Sequence, residues 1–159
     1  MANMVTFAQN DDSNPLVTHT FVPVTDTPNP FWRGSNPVTP LEGQVRLTSS
    51  VEKQKNGSYK ITTKLEVPVM ETLGASGSAA GYVAPPKVAY TNVAIFTMFA
   101  DRRSTISDRA NLYKIMLGLL AGATATVDQG TLNGASVADS IKNSTRQIPQ
   151  LYTSVLVPN

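Results

Sequence analysis

The sequence predicts an α+β fold: an N-terminal hairpin and an antiparallel β-sheet, followed by two C-terminal α-helices. Three observations carry this. Over residues 1–100, short runs alternate apolar with polar side chains and are bounded by Gly, Pro, Asn and Asp. Beyond them, Ile106, Ala110, Tyr113, Leu117 and Leu120 recur at helical spacing. Within the strand-like part, Arg46 to Val67 reads as one hairpin whose two faces differ chemically.

Val5 to Gln9 and Leu16 to Val24 make the first hairpin, separated by the turn-rich Asn10-Asp11-Asp12-Ser13-Asn14-Pro15. Thr27 to Pro40 is rich in Pro and Asn with Phe31-Trp32 embedded, and predicts an irregular connection with one short edge strand.

The register of the central hairpin follows from its residues. Asn56-Gly57 suggests a two-residue primed turn. That turn would set Leu47 against Glu66 and Val51 against Thr62, mixing apolar and polar side chains on both faces. A three-residue loop, Lys55-Asn56-Gly57 with Gly57 in the left-handed position, removes the conflict. Val45 then meets Val67, Leu47 meets Leu65 and Val51 meets Ile61 on one side. Arg46 meets Glu66 and Glu52 meets Lys60 on the other, with Thr48, Ser50, Thr62 and Lys64 at its centre. Such a polar face has a bland account, the solvated side of a half-covered sheet, and a sharper one, a surface built to hold a ligand.

Glu71 to Pro86 is a long Gly-, Ala- and Ser-rich loop, of the kind often functional in a compact domain. Val88 to Phe99 is the last strand. Ser104 or Ser107 is placed to cap the helix and Asp108 suits its first turn. Leu112, Ile115, Met116 and Leu119 form a second apolar stripe beside the first, so this helix is either deeply buried or covered partly by a partner subunit. A second, shorter helix is predicted at Ser136 to Asn143, after a flexible Asp128 to Gly134. From Gln147 the tail reads as extended and apolar.

Composition narrows the function classes. The 159 residues suffice for one domain with a real core, and 41% apolar with 15% charged side chains is ordinary globular usage. A net charge of +2 is too weak for gripping nucleic acid by charge alone, so RNA binding would need a placed patch or many subunits together. There is no cysteine, so disulfides and thiolate metal sites are excluded. No signal peptide or membrane span is read: the apolar run Ile115 to Ala123 is interrupted by Gly118 and Gly122 and is too short to cross a bilayer. Enzymatic constellations are also missing. His19 stands alone in a strand, Gly74 to Gly81 lacks the Gly-Lys-Ser/Thr ending of a phosphate loop, and Glu52, Glu66 and Glu71 form no acid–base set. No enzyme activity, cofactor, metal or small-molecule substrate is expected.

The ordered segments resemble a family. A hairpin ending KLEVPV, a Gly-rich loop reaching a proline, a strand with Tyr-Thr-Asn at Tyr90 to Asn92 and ending Met98-Phe99-Ala100, then KIMLGLL at Lys114 to Leu120, together resemble the coat protein of the single-stranded RNA bacteriophages, the leviviruses. The likeness is clear from Val38 to Leu120; no single piece is specific, but their order is.

The resemblance implies a single coat-protein domain, with a sheet part over about residues 1–100, a helical dimerisation part over 101–146 and an extended tail over 147–159. It implies an interlocked homodimer whose helices lie across the partner's sheet, assembling into an icosahedral T=3 capsid around genomic RNA. It also implies that the sheet binds an RNA hairpin through a Thr-x-Ser and a Thr-x-Lys pair, repressing replicase translation. Those pairs match Thr48/Ser50 and Thr62/Lys64, joined by Arg46 and Lys60 on the same face; Tyr90 would stack on a base with Asn92 nearby. Two departures stand out: Glu52 where relatives carry a base, and Ala94 where an acid is usual. The apolar wall of the adenine pocket is expected within Asn29 to Trp32. The location implied is the virion, after synthesis in the bacterial host cytoplasm. The alternative function is a soluble dimeric RNA-binding regulator that forms no shell.

Overall fold

Lys55, Asn56 and Gly57 turn the central hairpin as the side-chain pattern requires. Gln54 N–H donates to Ser58 C=O at 2.8 Å, and Gly57 has φ +83°, a conformation that disfavours any side chain. The computed structural model describes residues 3–11, 17–71, 87–120 and 147–158. Strands β1 (Phe7–Asn10), β2 (Thr18–Thr25), β3 (Phe31–Gly34), β4 (Arg46–Lys53), β5 (Tyr59–Met70) and β6 (Val88–Ala100) form one six-stranded sheet in chain order, with α1 (Ile106–Leu120) and α2 (Gln147–Thr153) following. This is the α+β class that the sequence predicts.

Two compact units share these elements, one made of Val5–Thr48 and Thr63–Phe96, the other of Met1–Met4, Ser49–Thr62 and Thr97–Asn159. In the first, Phe7 stacks on Phe21 with ring centroids 4.9 Å apart and meets the edge of Trp32. The fully buried Trp32 donates its indole N–H to Val5 C=O at 3.3 Å, which satisfies its one polar atom. Val45 and Leu47 continue this core. At Gly34 the strands β3 and β4 approach closely: its N–H bonds Val45 C=O at 2.7 Å, and a Cβ there would collide with the Val45 side chain. His19 faces Asp11 at 3.3 Å, a structural pairing for the lone histidine.

In the second unit, Ile61, Met98, Ala100, Ala110, Tyr113, Leu151 and Tyr152 are buried. Tyr113 of α1 stacks on Tyr152 of α2 with centroids 5.0 Å apart. Arg109 ties the two helices: its Nε donates to Thr153 C=O and its Nη1 to Ser104 C=O, both at 2.6 Å. Burial lowers the Arg109 pKa and raises that of Tyr113.

Three expectations need correction. The segment around Phe31-Trp32 gives a strand, but β3 lies between β2 and β4 and is not at an edge. The cap of α1 is Thr105, not Ser104 or Ser107, because only Thr105 sits three residues before Asp108. The tail is not extended throughout: Gln147–Thr153 is helical, since Leu151 and Tyr152 reach the core together only on a helical turn, and Pro149 falls in the first turn, where its missing N–H costs little. The predicted helix at Ser136 to Asn143 and most of the long loop lie outside the described residues. At that loop's base, Glu71 N–H bonds Lys87 C=O at 2.8 Å.

Candidate nucleic-acid interface

Alternation along β4 puts Arg46, Thr48 and Ser50 on one face and Leu47, Ser49 and Val51 on the other. Along β5 it puts Lys60, Thr62, Lys64 and Glu66 on one face, opposite to Ile61 and Leu65. Counting from the Gln54–Ser58 pair, Glu52 stands opposite Lys60, Ser50 opposite Thr62, Thr48 opposite Lys64 and Arg46 opposite Glu66. Two observations agree with this count. Lys60 Nζ lies 3.5 Å from Glu52 Oε2, and Arg46 and Glu66 line one recess with Glu42, Pro68, Thr91 and Val93.

Thr48, Ser50, Thr62 and Lys64 are half-buried, so their polar atoms are held on the sheet and remain reachable. Thr62 Oγ1 is 3.3 Å from Thr97 Oγ1. Lys64 Nζ is 2.8 Å from Glu66 Oε1, two residues along the same face. Exposed pairs of this kind contribute only about 0–1 kcal/mol, so a phosphate can displace the carboxylate from either lysine. The face therefore offers hydroxyls that donate or accept, and cations that meet anions, but no nucleophile with an activating base.

Strand β3 adds residues that the sequence left unassigned. Phe31 stands opposite Thr48 and Arg33 opposite Arg46, so both share this face. Phe31 is half-buried and is an apolar side chain on this face from within Asn29 to Trp32. Trp32, by alternation, belongs to the buried core on the reverse. The parity of β3 could not be counted from sequence through the Pro-rich segment before it.

Strand β6 carries the remaining expected residues, Tyr90 and Asn92. Continued from Glu71 and Lys87, an even register would set Asn92 opposite Glu66. Val88, Thr91 and Val93 line the recess with Glu66 and Pro68. In the other unit Thr97 meets Thr62, while Met98 and Ala100 are buried. Tyr90 and Asn92 are both exposed, and neither lines that recess. By alternation and register Arg46, Thr48 and Lys64 share a face in one unit, as Ser50, Lys60 and Thr62 do in the other.

Among the described residues no group of His, Asp and Glu could hold a metal ion, and no helix is long and apolar enough to cross a membrane.

The model of the family described as Levivirus coat protein matches residues 1–138. The chain is similar to the capsid protein of Pseudomonas phage PRR1, with 33% identity over 105 residues covering 66% of this chain and 72% of that one. Among solved structures it is similar to the virus-like particle of bacteriophage EMS014, with TM-score 0.70 and 38% identity over 98% of this chain and 99% of that one. The capsid protein of bacteriophage GA shares the fold, with TM-score 0.58 and 22% identity over 77% and 87% of the two chains. The chain belongs to the levivirus coat protein family: it is a phage capsid protein and a component of the virion, structural rather than enzymatic.

Proposed function

We propose that this chain pairs with a second copy as an interlocked dimer, that the dimers close an icosahedral T=3 shell around single-stranded genomic RNA, and that the β4–β5 face binds an RNA hairpin and so represses replicase translation. The observation that carries the RNA reading is the two-sided hairpin. Its reverse is closed by Leu47 and Ile61, while its front presents Thr48, Ser50, Thr62 and Lys64 with Arg46 and Lys60 at their flanks. Unpaired bases splayed from an RNA loop are read by hydroxyls and apolar walls of this kind, and lysines meet the phosphates. Phe31 beside Thr48 offers a ring on which a base can stack, an interaction worth roughly 1–3 kcal/mol. The EMS014 relative, solved as a virus-like particle, supports the shell.

Electron microscopy and the 260/280 nm absorbance ratio of protein expressed alone test the shell. Uniform RNA-rich particles are expected; a clean dimer at every salt and concentration would favour the soluble regulator. Lys64→Ala tests the face: it should weaken binding of a stem-loop with unpaired adenines about tenfold, roughly the 1.4 kcal/mol of one charge-assisted bond, and leave particles intact. Parent-like affinity in Lys64→Ala would remove the hairpin assignment.

A further inference from the structure

We propose that Arg33 and Arg46 form a clamp for an RNA phosphodiester, which carries bound RNA off the hairpin face into a groove along β2 and β3. The proposal rests on the reading that this face meets RNA. The two arginines are direct cross-strand partners on β3 and β4. Like charges in that relation repel and destabilise a sheet, so the arrangement calls for an anion. No carboxylate among the described residues supplies one. Glu66, which stands opposite Arg46, is engaged by Lys64 at 2.8 Å. Glu42 lines the Arg46 recess without forming an ion pair, and neither arginine has an ion pair among the described residues.

The surroundings of Arg33 suit a nucleotide. Its groove is floored by exposed Val22 and Val24 and rimmed by Ser35, Asn36 and Gln44, and no acid among the described residues lines it. A guanidinium fork matches phosphate oxygens bidentately, and two facing forks can hold one phosphodiester from both sides. The valines take an apolar base face, and the amides can bond sugar or base edges. Nothing in the groove encodes a particular base, so the contact suits genomic RNA of any sequence.

The test uses the full-length chain and a labelled oligouridylate of about 12 nucleotides, with affinity measured by anisotropy between about 50 and 200 mM salt. Loss of one phosphate contact should flatten the log–log salt slope by about 0.7 in Arg33→Gln, and Arg33→Lys should restore it. Thermal unfolding without RNA should show Arg33→Gln at or above the parent, because a repulsion is relieved. Lys64→Ala is measured in parallel on the adenine-bearing stem-loop. An unchanged slope in Arg33→Gln beside a weakened Lys64→Ala would overturn the clamp and leave the hairpin face standing; if neither variant changes, both readings fall. A lower melting temperature together with lost binding would make Arg33 a packing residue and also overturn the clamp.

Discussion

Ser49 shows how closely single positions of this sheet are determined. It sits on β4 between Leu47 and Val51, on the face turned from the proposed RNA surface; it is 1% exposed and its hydroxyl has no hydrogen-bond partner among the described residues. A buried unsatisfied hydroxyl costs about 1–3 kcal/mol. Ser49→Ala should therefore raise unfolding stability by roughly 1 kcal/mol, seen as a higher urea midpoint at unchanged slope. A lower midpoint would mean that the oxygen has a partner in the native protein. Thr91 and Asn92 give a second residue-scale outcome. Because Thr91 shares the recess with Arg46 and Glu66, Thr91→Arg should strengthen stem-loop binding, whereas Asn92→Ala should leave it within twofold of the parent; a marked loss in Asn92→Ala would return the motif-based reading. Most of the face was legible beforehand, because a period of two plus one loop length fixes the parity of Thr48, Ser50, Thr62 and Lys64. The register of β6 was less legible, since the parity that joins Glu71 to Lys87 is not the one that joins Thr62 to Thr97, and such a shift leaves no mark in composition. Phe31 was hidden for a related reason: parity cannot be counted through an irregular segment.

Helix α1 shows what local sequence decides about an element and what it leaves open. Thr105 Oγ1 accepts from Asp108 N–H at 3.2 Å, while Asp108 Oδ2 accepts from Thr105 N–H at 2.9 Å, a reciprocal cap that satisfies orphan donors at the helix start. Hydrogen bonds from the backbone, and then the side chain, of Thr105 hold the Asp108 carboxyl below the ordinary aspartate range. A lowered folded-state pKa means that this contribution is fully present above the unfolded value and is lost as pH falls through the folded one. An acid titration followed by helical circular dichroism should therefore show a component at low pH that is missing in Asp108→Asn. Superimposable titrations of the two proteins would show that the cap does not report on α1. Hydroxyls at Ser104, Thr105 and Ser107 made the capping region legible, and only the spacing to Asp108 selects among them. The helicity of Gln147–Thr153 was not legible, because its apolar residues fit a strand equally well until Tyr152 stacks on Tyr113. Tertiary packing overrides such weak local preference.

At the scale of the whole molecule, a single copy leaves unsatisfied what a capsid protein would cover. On α1, Leu112 is 49% and Ile115 61% exposed, with Met116 beside them, although the other stripe is buried through Ala110 and Tyr113. The helix is thus apolar on both a covered and an open side, and the partner-subunit account of its second stripe gains support over the deeply buried one. Strand β6, last in the sheet order, is an open edge of thirteen residues with Ile95 and Phe99 exposed. An edge so long and so apolar invites another strand. A second copy fits both features under one two-fold operation, because each chain then offers the other the same edge and the same stripe. Ile115→Asp should separate this account from that of a monomer with a merely greasy surface. A carboxylate in a buried apolar interface costs several kcal/mol, so a sizing column should show monomer or aggregate and electron microscopy no shells. Val38→Asp, at an apolar loop position 90% exposed, should still form shells as the parent does. If Ile115→Asp assembles as well as the parent, α1 does not face a partner and the interlocked dimer is wrong for this chain.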